Sequence, residues 1–97
     1  MTPEEHATIM SHAENCASQP VRVQYFALLR EQAGRSDEAL DTCARTPREL
    51  YGELRARHPF TLEPAMLRVA VNSEFCGWEQ PLRAGDAVVF IPPVAGG

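Results

Sequence analysis

Ala87-Val88-Val89-Phe90-Ile91-Pro92-Pro93-Val94-Ala95-Gly96-Gly97 closes the sequence, and its reading decides the fold. The first five residues are all apolar, which predicts a strand with apolar side chains on both faces. Side chains alternate along a strand, so Ala87, Val89 and Ile91 share one face and Val88 and Phe90 the other. A small sheet covered by a single helix buries only one of those sets. The strand is therefore either central beneath extra loops or partly open to a partner. Pro92 and Pro93 fix φ and favour an extended exit from it. Gly96 and Gly97 bury nothing and cost entropy to order. The expectation is that the terminal carboxylate of Gly97 is the working group. Gly96, with no Cβ, gives clearance through a narrow channel. From Pro92 to Gly97 an extended tail reaches on the order of 20 Å, at about 3.3 Å per residue.

Outward from that strand, the pattern is α+β. Val21 to Ala27 alternates as a strand, with Val21, Val23 and Tyr25 on one face. Leu28 to Ala33 predicts one or two helical turns stopped by Gly34. Phe26 and the Leu28-Leu29 pair raise the same question of cover as the last strand. Ser36 to Cys43 is a weaker strand, interrupted by Asp and Glu. Thr46-Pro47-Arg48-Glu49 is a capping-box start for a helix whose Leu50, Tyr51 and Leu54 form an apolar stripe, ended by Pro59. Leu67 to Val71 alternates again, Asn72-Ser73-Glu74 predicts a tight turn, and Phe75 to Trp78 a short return strand. Arg83 to Asp86 is a turn before the last strand. Strands flanking one main helix place that helix on one face of the sheet.

Composition bounds the function. The 97 residues suit one domain with a modest core, at 44% hydrophobic and 23% charged. A net charge of -4 without a basic stripe argues against nucleic acid. No apolar run is long enough to span a bilayer. The acidic start Met1-Thr2-Pro3-Glu4-Glu5 is unlike a signal peptide, so a cytoplasmic location is expected. Met1 to Gln19 is expected to be an extension, a frayed helix or disorder, with residues 20–91 as the folded domain and 92–97 as the tail. His12 and Cys16, four apart within the extension, lack further ligands, and no metal site is expected.

Cys16, Cys43 and Cys76 form neither a disulfide framework nor a zinc motif, and Cys43 and Cys76 are expected to act as small buried hydrophobes. His6, His12 and His58 share no spacing with a nucleophile, and Gly34, Gly52, Gly77 and Gly85 are isolated rather than a phosphate loop. Asp37-Glu38 is expected to be solvated. All nine basic residues are arginine, so an activated terminus meets no lysine ε-amine in its own chain; genomic base composition is the simpler cause of that bias.

From Val21 to Gly97 the sequence resembles the MoaD/ThiS family of ubiquitin-like sulfur carriers, and within it the small subunits of molybdopterin synthase. The residues that carry the resemblance are Val23 to Glu31, Thr46-Pro47 with Leu50, Val69-Ala70-Val71-Asn72, Pro81 to Asp86 and the ending Phe90 to Gly97. Two departures stand out: the extension before Pro20, and Ala95 where the family often has Ser or Thr. The resemblance implies a β-grasp fold. It implies that an E1-like (MoeB-like) enzyme, using ATP and Mg, adenylates Gly97, and that a sulfur donor protein supplies sulfur to make a thiocarboxylate. The tail Val94-Ala95-Gly96-Gly97 would then enter a large, MoaE-like synthase subunit and pass sulfur to precursor Z.

The catalytic residues would belong to those partners, with no cofactor bound by this chain and two copies of each subunit in a heterotetramer. Phe26, Phe90, Ile91, Pro92 and Pro93 are the candidates for the partner-binding surface. Arg30 is either a further contact to an acidic partner patch or a solvated helix-end charge. The alternatives are a sulfur carrier for thiazole, tRNA thiolation or cysteine synthesis, and a non-covalent ubiquitin-like interaction module.

Overall fold

The computed structural model describes residues 17–93. The expectations placed on the extension, on Cys16 and on Val94 to Gly97 therefore lie outside the described residues. Along the chain come β1 (Gln19–Tyr25), α1 (Ala27–Ala33), β2 (Asp37–Thr42), α2 (Pro47–Arg57), a 3-10 turn (Pro64–Met66), β3 (Arg68–Val71), β4 (Glu74–Cys76) and β5 (Ala87–Ile91). The five strands form one mixed sheet in the order β2-β1-β5-β3-β4. β5 lies at its centre, parallel to β1 and antiparallel to β3. With α2 laid across one face, this is the β-grasp, ubiquitin-like arrangement.

Local chemistry explains the elements. β1 alternates buried Val21, Val23 and Tyr25 with exposed Arg22 and Gln24. At the start of α2 the Thr46 hydroxyl accepts the Glu49 N–H at 3.3 Å, and the Glu49 carboxylate accepts the Arg45 N–H at 2.8 Å. That closes both sides of the cap, one residue wider than the usual box. Leu50, Tyr51 and Leu54 are fully buried against Val23, Leu29, Val88 and Phe90. Tyr51 stacks on Phe60 with centroids 5.7 Å apart and lies 5.1 Å from Phe90, whose ring in turn stacks on Trp78. These aromatic contacts join helix, sheet and loops into one core.

Several boundaries differ from the predicted ones for clear reasons. β1 stops at Tyr25, because Ala27 takes φ 52° and turns the chain into α1. β4 begins at Glu74 rather than Phe75: Asn72 and Ser73, at φ 53° and 74°, make a two-residue primed turn that brings Glu74 opposite Val71. It ends at Cys76, since the chain beyond turns inward, with the Trp78 carbonyl accepting the Arg48 N–H at 3.1 Å.

Glu38 is not solvated. It pairs with Val23 in the ladder and its side chain is 9% exposed. Its Oε1 accepts the Tyr25 hydroxyl at 2.6 Å and lies 2.8 Å from His58 Nε2, with Arg35 and Arg57 beside Oε2. Burial pushes this carboxyl up, but the Tyr25 and His58 hydrogen bonds and the neighbouring positive charges outweigh it, so the group sits below its ordinary value. Burial and the Glu38 carboxylate push the Tyr25 hydroxyl far up. Cys43 is half-buried and disulfide-bonded, not the isolated apolar side chain expected. Cys76 is a free thiol packed on the core, raised by burial. No helix among the described residues is long and apolar enough to cross a membrane.

Candidate functional site

The central position of β5 resolves its two apolar faces. Val88 and Phe90 point into the core and are fully buried, whereas Ala87, Val89 and Ile91 are half-exposed on the far side. Because β1 and β5 run parallel, with Tyr25 opposite Phe90, both strands end at the same edge of the sheet. The residues that follow them, Phe26-Ala27-Leu28 from β1 and Ile91-Pro92-Pro93 from β5, line one groove of about 630 Å³. Leu62, from the loop after α2, completes the lining.

Every lining side chain is apolar. Phe26 and Leu28 are 41% and 38% exposed, an unusual state for large apolar residues set side by side. Among the described residues no polar side chain lines it to fix a small ligand, and Pro93 lies in its wall. Its chemistry suits the apolar face of another protein.

The backbone is arranged to present this surface. Phe26 occupies the N-cap position of α1 yet caps nothing with its side chain; its carbonyl instead accepts the Leu29 and Arg30 N–H groups. Ala27 follows in the left-handed region at φ 52°, which costs a non-glycine residue about 1–2 kcal/mol. That turn leaves Phe26 exposed while Leu29 is fully buried in the core.

The sequence-predicted partner residues divide. Phe26, Ile91, Pro92 and Pro93 come together in the groove. Phe90 does not: its ring is 0% exposed, between Tyr51 and Trp78, because its neighbour Ile91 takes the outward face. Arg30 is exposed in the last turn of α1 but does not line the groove. Ala27, Leu28 and Leu62 were not among the expected contacts. The Leu28-Leu29 pair signalled the first wall, while Leu62 carries no local signal and reaches the groove only through the tertiary fold.

A second recess of about 500 Å³ lies at the opposite end of β5, lined by Asn72, Cys76, Arg83 and Asp86 among others. Asn72 Nδ2 donates to Asp86 Oδ1 at 2.9 Å, Asp86 Oδ2 accepts the Arg83 N–H at 2.8 Å, and Asn72 Oδ1 accepts the Ala87 N–H at 3.0 Å. These groups satisfy one another and hold the turn. Among the described residues no cluster of His, Cys, Asp and Glu could hold a metal ion.

Comparison with known proteins places this geometry. The ThiS family model matches residues 23–97. The chain belongs to the ThiS family. It is 34% identical over 82 residues to the molybdopterin synthase sulfur carrier subunit of Escherichia coli, covering 79% of this chain and 99% of that protein. The corresponding subunit of Haemophilus influenzae is 31% identical over 80 residues, with 79% and 99% covered. Among solved structures, the complex of subunits 1 and 2 of the molybdopterin-converting factor of Helicobacter pylori holds a chain that matches at TM-score 0.57 and 25% identity, covering 81% of this chain and all of that one. SAMP1 of Haloferax volcanii matches at TM-score 0.66 and 26% identity, covering 80% and 99%.

Proposed function

We propose that this chain is a sulfur carrier of molybdenum cofactor biosynthesis, working as the small subunit of a molybdopterin synthase. The observation that carries the reading is the identity, over nearly their whole length, with two proteins named molybdopterin synthase sulfur carrier subunits.

The chemistry follows from the weakness of a carboxylate as an electrophile. In an E1-like enzyme, a Gly97 carboxylate oxygen attacks the α-phosphorus of ATP and pyrophosphate leaves, giving an acyl-adenylate. ATP and magnesium belong to that enzyme. Hydrosulfide-level sulfur from a donor protein then attacks the acyl carbon; the C–S bond forms as the bond to AMP breaks, and a proton is lost to solvent. The resulting thiocarboxylate is a soft anion, nucleophilic at neutral pH. Presented to precursor Z in the large subunit, it passes on its sulfur, and hydrolysis restores the carboxylate. Two carriers supply one dithiolene, which accords with two copies of each subunit.

The groove fits this work geometrically. Gly97 lies four residues beyond Pro93. At about 3.3 Å each they extend at most about 13 Å. A partner that receives Gly97 in its active site must therefore sit against the edge of the sheet from which the tail leaves, where the groove is. Phe26, Ile91, Pro92 and Pro93 are the docking residues on this reading, and Val94 to Gly96 the part that threads inward. Glycine at 96 and 97 lets the backbone pass where a Cβ would clash.

The test is the intact mass after incubation with an E1-like activating enzyme, ATP and a sulfur donor. The full-length chain should gain the mass of oxygen exchanged for sulfur. A chain lacking Gly97, or carrying one residue appended after it, should not. No gain with a verified enzyme would leave a non-covalent binding module. A gain without dithiolene formation when the cognate large subunit and precursor Z are added would assign the carrier to another sulfur pathway.

A further inference from the structure

Of the three pieces of chain that line the groove, two that lie apart in sequence are tied together by a pair of hydrogen bonds. One wall is the start of α1, a helix of seven residues whose single fully buried side chain is Leu29, with Ala33 packed against the core at its far end. The other is Leu62, whose carbonyl is pinned to the core by the Tyr51 hydroxyl at 2.8 Å. Between them, Gln32 Nε2 donates to Thr61 Oγ1 at 3.0 Å, and the Thr61 N–H donates to Gln32 Oε1 at 3.3 Å. The backbone N–H can only donate, so it fixes which end of the Gln32 amide faces it.

Gln32 stands four residues after Leu28 and therefore on the same face of α1. Thr61 is the residue before Leu62. The contact thus sits directly behind the groove, with Leu28 and Leu62 as the next pair forward. Both partners are surface residues, where a hydrogen bond adds little to global stability. Leu29 and Ala33 seat α1 on the core, and the Gln32–Thr61 pair adds its tie to the loop that carries Leu62.

We propose that Gln32 and Thr61 are positioning residues of the docking groove: their two-point clamp holds α1 against the loop at Leu62 and so sets the width of the opening that a partner's apolar face enters. The proposal rests on the reading of the groove as the synthase docking site, and it assigns the clamp no part in the sulfur chemistry. It makes a chemical distinction between substitutions. In Gln32→Glu the carboxylate accepts both the Thr61 N–H and the Thr61 hydroxyl, so the clamp persists with the hydroxyl reversed. Thr61→Ser keeps both bonds. Gln32→Ala removes both, and Thr61→Val removes the side-chain bond while matching threonine in shape.

The experiment measures affinity for the cognate large subunit by calorimetry, alongside the methyl resonances of Leu28 and Leu62 in the free full-length chain. Gln32→Ala is expected to shift both sets of methyl resonances and weaken binding about tenfold, the scale of a lost pair of exposed hydrogen bonds, with Thr61→Val intermediate. Gln32→Glu and Thr61→Ser should match the parent in both readouts. That rescue separates positioning from loss of surface. Unchanged methyl resonances in Gln32→Ala, or equal weakening by the conservative variants, overturns the clamp. Shifted resonances with unchanged affinity would keep the clamp but overturn the groove as the docking site.

Discussion

The two ends of β5 are built from opposite chemistry. At its start the chain is held by polar groups that complete one another: Asn72, Asp86 and the N–H groups of Arg83 and Ala87. At its finish Ile91, Pro92 and Pro93 meet Phe26 and Leu28 with no polar contact in the lining. The first end is a clasp in which Asn72 and Asp86 are spent on holding the turn. The second leaves large apolar surface open beside the exit of the chain. A protein keeps such a surface exposed where a partner covers it. On the reading proposed above, the difference points to the apolar end as the docking face.

Substitutions separate the ends from what they share, and the largest effect falls on the shared part. Phe90→Ala removes a fully buried ring from between Tyr51 and Trp78 and should cost about 3–5 kcal/mol, read as a fall in the urea midpoint. Phe26, in the groove beyond the finish of the strand, should behave oppositely. Phe26→Asp places a charge in the groove while supplying a capping carboxylate to α1, whose N-cap is unused. Affinity for the large subunit should drop by at least about thirtyfold, or ~2 kcal/mol, with the thermal midpoint held or raised. A midpoint that fell with affinity would mean Phe26 belongs to the core after all.

The remaining effects are smaller. Glu38 underpins the apolar end through Tyr25 and His58. Its folded carboxyl lies below the ordinary value of 4.5, so the stability it contributes is present above that value and is lost as pH falls through the lowered one. Glu38→Gln should flatten this acid-side loss in urea titrations across the acid range; an unchanged slope would show that other carboxylates carry it. At the clasp, Asn72→Gly keeps the positive φ and removes only the side-chain bonds. It should cost about 1 kcal/mol and leave partner affinity alone. Ala27→Gly should stabilise by up to about 1 kcal/mol by releasing its left-handed strain, detected as a small rise in midpoint.

Much of this was legible in the residues. The alternation of β1, the cap at Thr46 and the Leu50-Tyr51-Leu54 stripe are local signals, and the structure uses each as read. The doubly apolar β5 announced a strand with two duties. What the sequence could not assign was which face did which: Phe90 and Ile91 are equally apolar, and only the parallel register with Tyr25 turns one inward. Glu38 looked solvated beside Asp37, because the groups that make its burial tolerable, Tyr25 and His58, lie far away in sequence. Leu62 and the Gln32–Thr61 contact were hidden for the same reason: each depends on where a loop lands.

The central place of β5 also has a mechanical consequence. The strand that leads into the tail is hydrogen-bonded on both sides, to β1 and to β3. A pull on the tail runs along the strand axis and loads both ladders together in shear, so no edge is offered at which to peel the sheet apart one bond at a time. On the carrier reading proposed above, repeated threading and withdrawal of the tail would thus load a strand braced on both sides rather than one at the margin of the sheet.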